Sequence, residues 1–180
     1  MKKEIYQEIE IPEGVEVKLD RNVFSVRGAN GENKKMFNLT RLEFEIKDGK
    51  IKIGNKKASK KEKKMMNSIA AHIVNMIKGV QEKFEYKLKI CSSHFPISVS
   101  VKGRDAEVKN FLGEKIPRKV KIPEGVEIEV NGDIIIIKSS DKELAGQAAA
   151  NFEMITRIRA RDKRVFQDGI YITDKAGRKM

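Results

Sequence analysis

The chain has 180 residues, room for one ordinary domain or two small ones, and its 36% charged and 39% apolar residues suit a folded core under a densely charged surface. Its 38 Lys+Arg against 26 Asp+Glu leave a formal net charge of +12 and an isoelectric point near 9.7, so a polyanion such as nucleic acid is the expected partner. A lone cysteine, Cys91, excludes an intramolecular disulfide scaffold, and the longest aliphatic run, Ile134 to Ile137, is far short of the roughly 20 apolar residues that cross a bilayer.

The opening MKKEIYQEIEIPEG carries charges too closely spaced for a signal-peptide core, so no export is expected. Val15, Val17 and Leu19 then alternate with polar residues, Val23 to Arg27 follows, and the Asn30-Gly31 turn leads to Lys35 to Leu39. Period-two alternation predicts strands. Leu42 to Ile46 and Lys50 to Ile53 flank Asp48-Gly49, a hairpin signal because both central turn positions favour positive φ. Ser59-Lys60-Lys61-Glu62 fits a capping box and opens a helix whose apolar stripe is Met66, Ile69, Ala70, Ile73 and Ile77, with Gly79 as its stop.

A second round begins after Gly79 to Lys83. Phe84 to Ile90 alternates, and Ile97 to Val101, Ala106 to Asn110 and Lys119 to Ile122 follow it as strands. Val126 to Val130 and Asp133 to Lys138 flank Asn131-Gly132, and Ser140-Asp141-Lys142-Glu143 offers a second capping box. Ala145, Ala148, Ala149, Phe152 and Ile155 form the second helical stripe. Val165 to Thr173 could add a turn or strand, and the polar tail Lys175 to Met180 reads as disordered.

The two rounds match in kind and order at a spacing of about 82 residues. Gly49 pairs with Gly132 at 83, Ser59 with Ser140 at 81 and Gly31 with Gly113 at 82. The exact repeat IPEGVE, at Ile11 to Glu16 and Ile122 to Glu127, has an offset of 111 and reads as one turn chemistry used at two different strand ends. The expected architecture is α+β: two tandem, similar small domains, residues 1–82 and 83–180, each an antiparallel-rich β-sheet packed against one helix.

Few residues offer catalytic chemistry. His72 lies mid-helix and reads as a packed helix residue. Cys91 and His94 form C-x-x-H with no second ligand pair, and a zinc site needs four ligands, so neither a metal nor a cofactor is expected. The phosphate-cradling loops GxxxxGK[ST] and GxGxxG are absent, and the carboxylates sit beside basic neighbours, so the chain does not read as an enzyme. No Trp and 6% aromatics count against a stacking platform for single strands.

Basic clustering remains. Each half carries +6, with 18 basic and 12 acidic residues in 1–82 and 20 and 14 in 83–180, but seven of the ten arginines lie in the second half. Arg157, Arg159, Arg161 and Arg164, joined by Lys163, are read as the basic end of the second helix, more cations than a helix dipole needs, and Arg is the better bidentate phosphate ligand. Lys56, Lys57, Lys60, Lys61, Lys63 and Lys64 oppose the dipole at the start of the first helix, which fits either an anionic neighbour or a solvated face. Gly146 inside the second helix suggests the close approach of another backbone to the face carrying Gln147 and Ala150.

FLGEKIPRKVKIPEGV at Phe111 to Val126, DKELAGQAAANFE at Asp141 to Glu153 and DKRVFQDGIYI at Asp162 to Ile172 resemble the L-six family of large-subunit ribosomal proteins in its archaeal and eukaryotic form, as do HIVNMIKGV and FEYKLKI between residues 72 and 90. The resemblance implies a tandem duplication of a small β-sheet unit with one helix. It also implies binding to large-subunit rRNA, chiefly by the C-terminal domain, near the stalk base where translational GTPases dock. Neighbouring ribosomal proteins, a cytoplasmic ribosome and a protein that is monomeric when free complete that expectation. Ser92, Ser93 and His94 resemble the family's Tyr-Ser-His-Pro loop, with Cys91-Ser92 in place of the tyrosine, and Lys142, Gln147 and Asn151 fall in its GQxAA-bearing helix; the resemblance makes these six candidates for RNA contact or core support. Contacts of the bacterial glycine- and lysine-rich tail do not carry over, because Arg157 to Ile172 stands there instead. The competing reading is a tandem basic module that binds another structured RNA or a protein outside the ribosome.

Overall fold

A computed structural model describes residues 3–47 and 49–180. Its contacts divide the chain between Lys83 and Phe84. In the first unit, β1 (Lys3–Glu10), β6 (Lys50–Ala58) and β5 (Glu43–Lys47) form one antiparallel sheet in that order, and β2 (Glu16–Asp20), β3 (Val23–Gly28) and β4 (Gly31–Met36) form another. The helix α1 (Lys60–Gln81) packs on β3 and β6, one strand from each sheet. Phe24, Val26, Ile51, Ile53 and Ile73 are fully enclosed between them.

The second unit repeats this order. Here β7 (Phe84–Cys91), β12 (Ile134–Ser139) and β11 (Glu127–Asn131) stand where β1, β6 and β5 stand, and β8 (Ser98–Lys102), β9 (Asp105–Lys109) and β10 (Arg118–Lys121) match β2, β3 and β4. The helix α2 (Lys142–Ile155) buries Ala145, Ala148, Ala149 and Phe152 against Leu88, Ile135 and Ile137. Small alanines along this stripe let the helix lie close to the sheet, with Phe152 as the one large anchor.

Local rules account for most of this. Ser59 caps α1: its hydroxyl accepts from Lys61 N–H at 3.2 Å and donates to Glu62, whose carboxylate also accepts from Ser59 N–H at 3.0 Å. These bonds hold the Glu62 carboxyl down to about 2, the Ser59 hydroxyl contributing most. The twin IPEGVE segments are one turn at two different strand ends, between β1 and β2 and between β10 and β11, with Gly14 at φ 80° and Gly125 at φ 77°. The β5–β6 hairpin forms around Gly49, at φ 70°, while Asp48 lies outside the described residues.

Five expectations are corrected. Gly79 does not stop α1, which continues to Gln81 with Gly79 buried inside it. The cap of α2 is Asp141, one residue beyond Ser140, with its carboxylate accepting from Glu143 N–H at 2.8 Å. The helix ends at Ile155, so Arg157 to Arg164 belong to the loop that follows it. The tail is ordered: β13 (Gly169–Lys175) turns at Gly177 into β14 (Arg178–Lys179), and the two pair antiparallel. Gly146 faces the Tyr86 side chain, whose hydroxyl would lie 3.4 Å from an added Cβ, and not a second backbone.

The strand β13 is the difference between the copies. It pairs with β7 on the side opposite β12, so β7 is central in a five-stranded sheet whereas β1 is an edge. Both ends of the segment 156–168 are thereby tied to the second unit.

Each unit has its own core and helix, so a fragment of residues 83–180 is expected to unfold cooperatively in chemical denaturant. Phe152→Ala in that fragment should cost about 3–5 kcal/mol, most of what so small a domain has, and circular dichroism should report an unfolded chain. In the first unit, Gly54 lies where an added Cβ would sit 2.5 Å from the Ile5 carbonyl oxygen and 2.1 Å from the Tyr6 ring. Gly54→Ala should therefore lower the melting temperature of the full chain by several degrees while Gly31→Ala, whose Cβ meets nothing but whose φ is 110°, isolates the effect of backbone strain.

Candidate nucleic-acid interface

Two loops of the second unit meet at one carboxylate. Asp168, at 1% exposure, stands just before β13, and its Oδ1 accepts from the backbone N–H groups of Ser93 and His94 at 2.6 and 2.9 Å. Its Oδ2 lies 2.6 Å from His94 Nδ1. Burial by itself would raise the Asp168 carboxyl, but the hydrogen bonds from His94 and Ser93 outweigh it and hold the group below the ordinary aspartate range. The loop 92–97 is thus fastened to the start of β13.

The second loop is closed by Thr156. Its hydroxyl donates to the Phe152 carbonyl at 3.2 Å, as a helix-end threonine can, and accepts from Ile170 N–H at 3.0 Å, so the chain leaves α2 and re-enters the sheet at one point. Between these fixed ends Arg157, Arg159, Arg161, Lys163 and Arg164 are all exposed, while Ile158 is buried and Phe166 half-buried. The apolar residues anchor the loop and leave the cations in solvent.

Phe166 joins the two loops. The His94 ring stacks on it with centroids 4.8 Å apart, and the Arg161 guanidinium lies 4.8 Å from its centroid. Arg164 is paired within the loop to Asp162 at 3.0 Å, and that pairing holds the Asp162 carboxyl below its usual value. Close by, Arg118 grips Glu114 through two bonds of 2.7 and 2.5 Å, donates to the Ile155 carbonyl and lies 4.3 Å over the Phe111 ring, so it supports the end of α2. Glu114 is held low chiefly by Arg118, with a smaller contribution from Arg161.

Beside the loop is a cavity of about 350 Å³ walled by Met154, Ile158, Phe166 and Tyr171, with Arg157 and Lys163 on its lining. The other sequence candidates lie along α2. Gln147 donates to Asn151 at 2.8 Å and Asn151 reaches the Lys121 carbonyl at 3.4 Å, so Asn151 ties the helix to β10. Lys142, in the first turn of α2 and about 20 Å along the helix from its end, lies 5.6 Å from the Phe84 ring centroid. The structure brings Ser93 and His94 to Arg161 through Asp168 and Phe166, and leaves Lys142 at the far end of the helix. Ser92 is exposed in the same loop as Ser93.

Sequence reasoning passed over Asp168, Phe166, Thr156 and Arg118. The only signal of Asp168, Phe166 and Arg118 was membership of the motifs DKRVFQDGIYI and FLGEKIPRKVKIPEGV, and Thr156 lies in neither; Asp168 and its partner Ser93 are 75 residues apart. In the first unit, the lysines 56, 57, 60, 61, 63 and 64 are exposed around the α1 start, and His72 sits with Nδ1 3.3 Å from Lys35 Nζ and its ring beside Phe37.

Asp168→Ala should destabilise the second unit by about 2–3 kcal/mol, because it removes an acceptor shared by two backbone donors and a ring. The pH dependence has a defined sign. A folded value below the unfolded one means the carboxylate contributes stability above the unfolded value and loses it as pH falls through the folded one. Thermal melts from pH 6 down through this acid range should thus fall more steeply for the native chain than for Asp168→Asn.

Two comparisons bear on this site. The model of the family described as Ribosomal protein L6 matches residues 11–83 and 95–169, one match on each unit. The chain is 42% identical over 176 residues to the large ribosomal subunit protein uL6 of Methanosarcina mazei, covering 98% of this chain and 100% of that protein. It is 42% identical over 174 residues to the large ribosomal subunit protein uL6 of Methanococcus vannielii, covering 97% and 96%. The second match begins at Phe95, just after Ser93 and His94, and runs to Gly169, so it takes in the basic loop and Asp168. With a model that matches both halves and relatives of this identity along their full length, the chain belongs to the ribosomal protein L6 family.

Proposed function

We propose that this chain is a structural, non-enzymatic constituent of the large ribosomal subunit in the cytoplasm and binds large-subunit rRNA chiefly through residues 83–180. The observation that carries the reading is the loop 156–168, where five exposed cations stand on a segment fixed at Thr156 and Asp168. Cations held on a fixed loop bind phosphate with less ordering cost than cations on a free tail. A-form RNA hides its base edges in a deep, narrow groove, so phosphates, 2′-hydroxyls and shape are what such a surface reads. Ser92, Ser93 and His94, on the adjoining loop, supply exposed polar groups for the same strand. On α2, exposed Gln147 and half-buried Lys142 are secondary contacts, and Asn151 supports the helix from β10.

The family resemblance supports a position near the stalk base and the region where translational GTPases dock, with other ribosomal proteins as neighbours and a monomer as the free form. The name carried by both archaeal relatives supports assembly into the large subunit.

Affinity for large-subunit rRNA should fall steeply with salt. Changing Arg157 and Arg159 together to Ala should weaken binding and reduce the slope of log affinity against log salt by about 0.7–0.9 per lost phosphate contact. Arg161 is the wrong choice for this test, because its place over Phe166 gives it a structural share. A salt titration of both proteins, with melting curves to show the fold intact, measures the effect; an unchanged slope would return the loop to the status of a solvated surface.

A further inference from the structure

The cavity beside the basic loop has a composition that phosphate binding does not explain. Met154, Ile158, Phe166 and Tyr171 give it apolar and aromatic walls, and its volume of about 350 Å³ falls within the range of small-molecule pockets, roughly 300–1,000 Å³. Met154 is 66% exposed and Tyr171 40% exposed, so the walls are open to a ligand, and neighbouring Val165, 61% exposed, extends the apolar surface. Arg157 and Lys163 lie on the lining, and neither is held in an ion pair among the described residues. Glu153 is also on the lining and repels a phosphate from the interior. The chemistry divides by depth: a neutral, flat, partly apolar group suits the inside, and an anion suits the two cations.

We infer that this cavity receives one unstacked nucleobase of the bound RNA, stacked on the exposed Tyr171 ring with the Phe166 edge beside it, and with the flanking phosphates held by Arg157 and Lys163. The inference rests on the rRNA-binding reading given above and adds to it a single nucleotide taken out of the helix. Bulged and looped bases are the parts of folded RNA that proteins stack on aromatic side chains, and such stacking is worth about 1–3 kcal/mol per base, or about 5- to 150-fold in affinity. The low aromatic content of the chain excludes a sheet-wide platform, but one base needs only one wall. The free cations favour RNA over an apolar side chain from a neighbouring protein, which would leave both of them without a counter-charge.

The test uses the full chain with a transcript of large-subunit rRNA. Ultraviolet cross-linking followed by nuclease and trypsin digestion should place a mononucleotide adduct on the peptide Val165–Lys175, which carries both Phe166 and Tyr171. Met154→Trp, which narrows the cavity from an exposed position, and Tyr171→Leu, which removes the ring but keeps apolar bulk, should each abolish the adduct. Both should weaken binding by about tenfold with the salt slope unchanged, because no phosphate contact is lost. Met36→Trp, at an exposed methionine of the first unit, should leave binding as it is. Salt-dependent binding with no adduct on that peptide, and with Met154→Trp binding as tightly as the native chain, would overturn base insertion and leave the rRNA reading standing. If the native chain shows no salt-dependent binding to the transcript, the rRNA reading itself falls and base insertion with it. If Met154→Trp binds rRNA normally but fails to enter large subunits, the occupant is a protein, and the inference is likewise overturned.

Discussion

The organisation of the second unit depends on one buried carboxylate. Asp168 is out of solvent, and a charge in that position is tolerated only where donors replace the lost water. Ser93 N–H, His94 N–H and the His94 ring do so, and all three come from a loop 74 or 75 residues earlier in the chain. The requirement to satisfy one oxygen pair therefore sets the path of the loop 92–97, the plane of His94, and through stacking the place of Phe166 and Arg161.

That constraint also explains why a duplicated fold has unequal halves. Both units share the strand order and the helix, but only the second has β13 and β14. Adding β13 beside β7 converts an edge into a central strand and brings the chain back beside the end of α2, where Thr156 and Ile170 close the loop. A long basic segment on an ordinary tail would sample many conformations and lose entropy on binding. Closed at both ends and pinned at Ile158 and Phe166, the same cations are ordered beforehand. The first unit carries +7 and the second +5, so this preorganisation, and not net charge, is what distinguishes the second as the proposed RNA-binding one.

Most strands and both helices were legible in the sequence because their signals are local. Period-two alternation, the turns at Gly49 and Gly132 and the Ser59–Glu62 box act over a few residues and need no tertiary partner. In β1 a high density of charge masks the strand, yet the alternation of those residues with Ile5 and Ile9 is the pattern of a strand with one covered face. The second cap moved by one residue because Ser140 and Asp141 are both competent, and Ser139 receives Asp141 N–H at 3.2 Å, which fixes the register. The basic segment was read as a helix end because nothing in its composition opposes helix. What ends α2 is Thr156, whose backbone N–H turns to Met154 and whose hydroxyl is committed to Ile170.

The site was half legible for the same reason. Arg157, Arg159, Arg161, Lys163 and Arg164 stand out by density, a property of sequence alone. The groups that give them a fixed geometry are single residues of ordinary type, Asp168, Phe166 and Arg118, and each acts on a partner distant in the chain. Aromatic content is legible in the sequence only as a total. A count over the whole chain measures whether a broad stacking surface exists, whereas Phe166 and Tyr171 matter because the fold sets them on one cavity beside Arg157 and Lys163. Charge density locates a polyanion-binding surface, but the selection of a particular folded RNA depends on the shape that buried, unremarked residues impose on it.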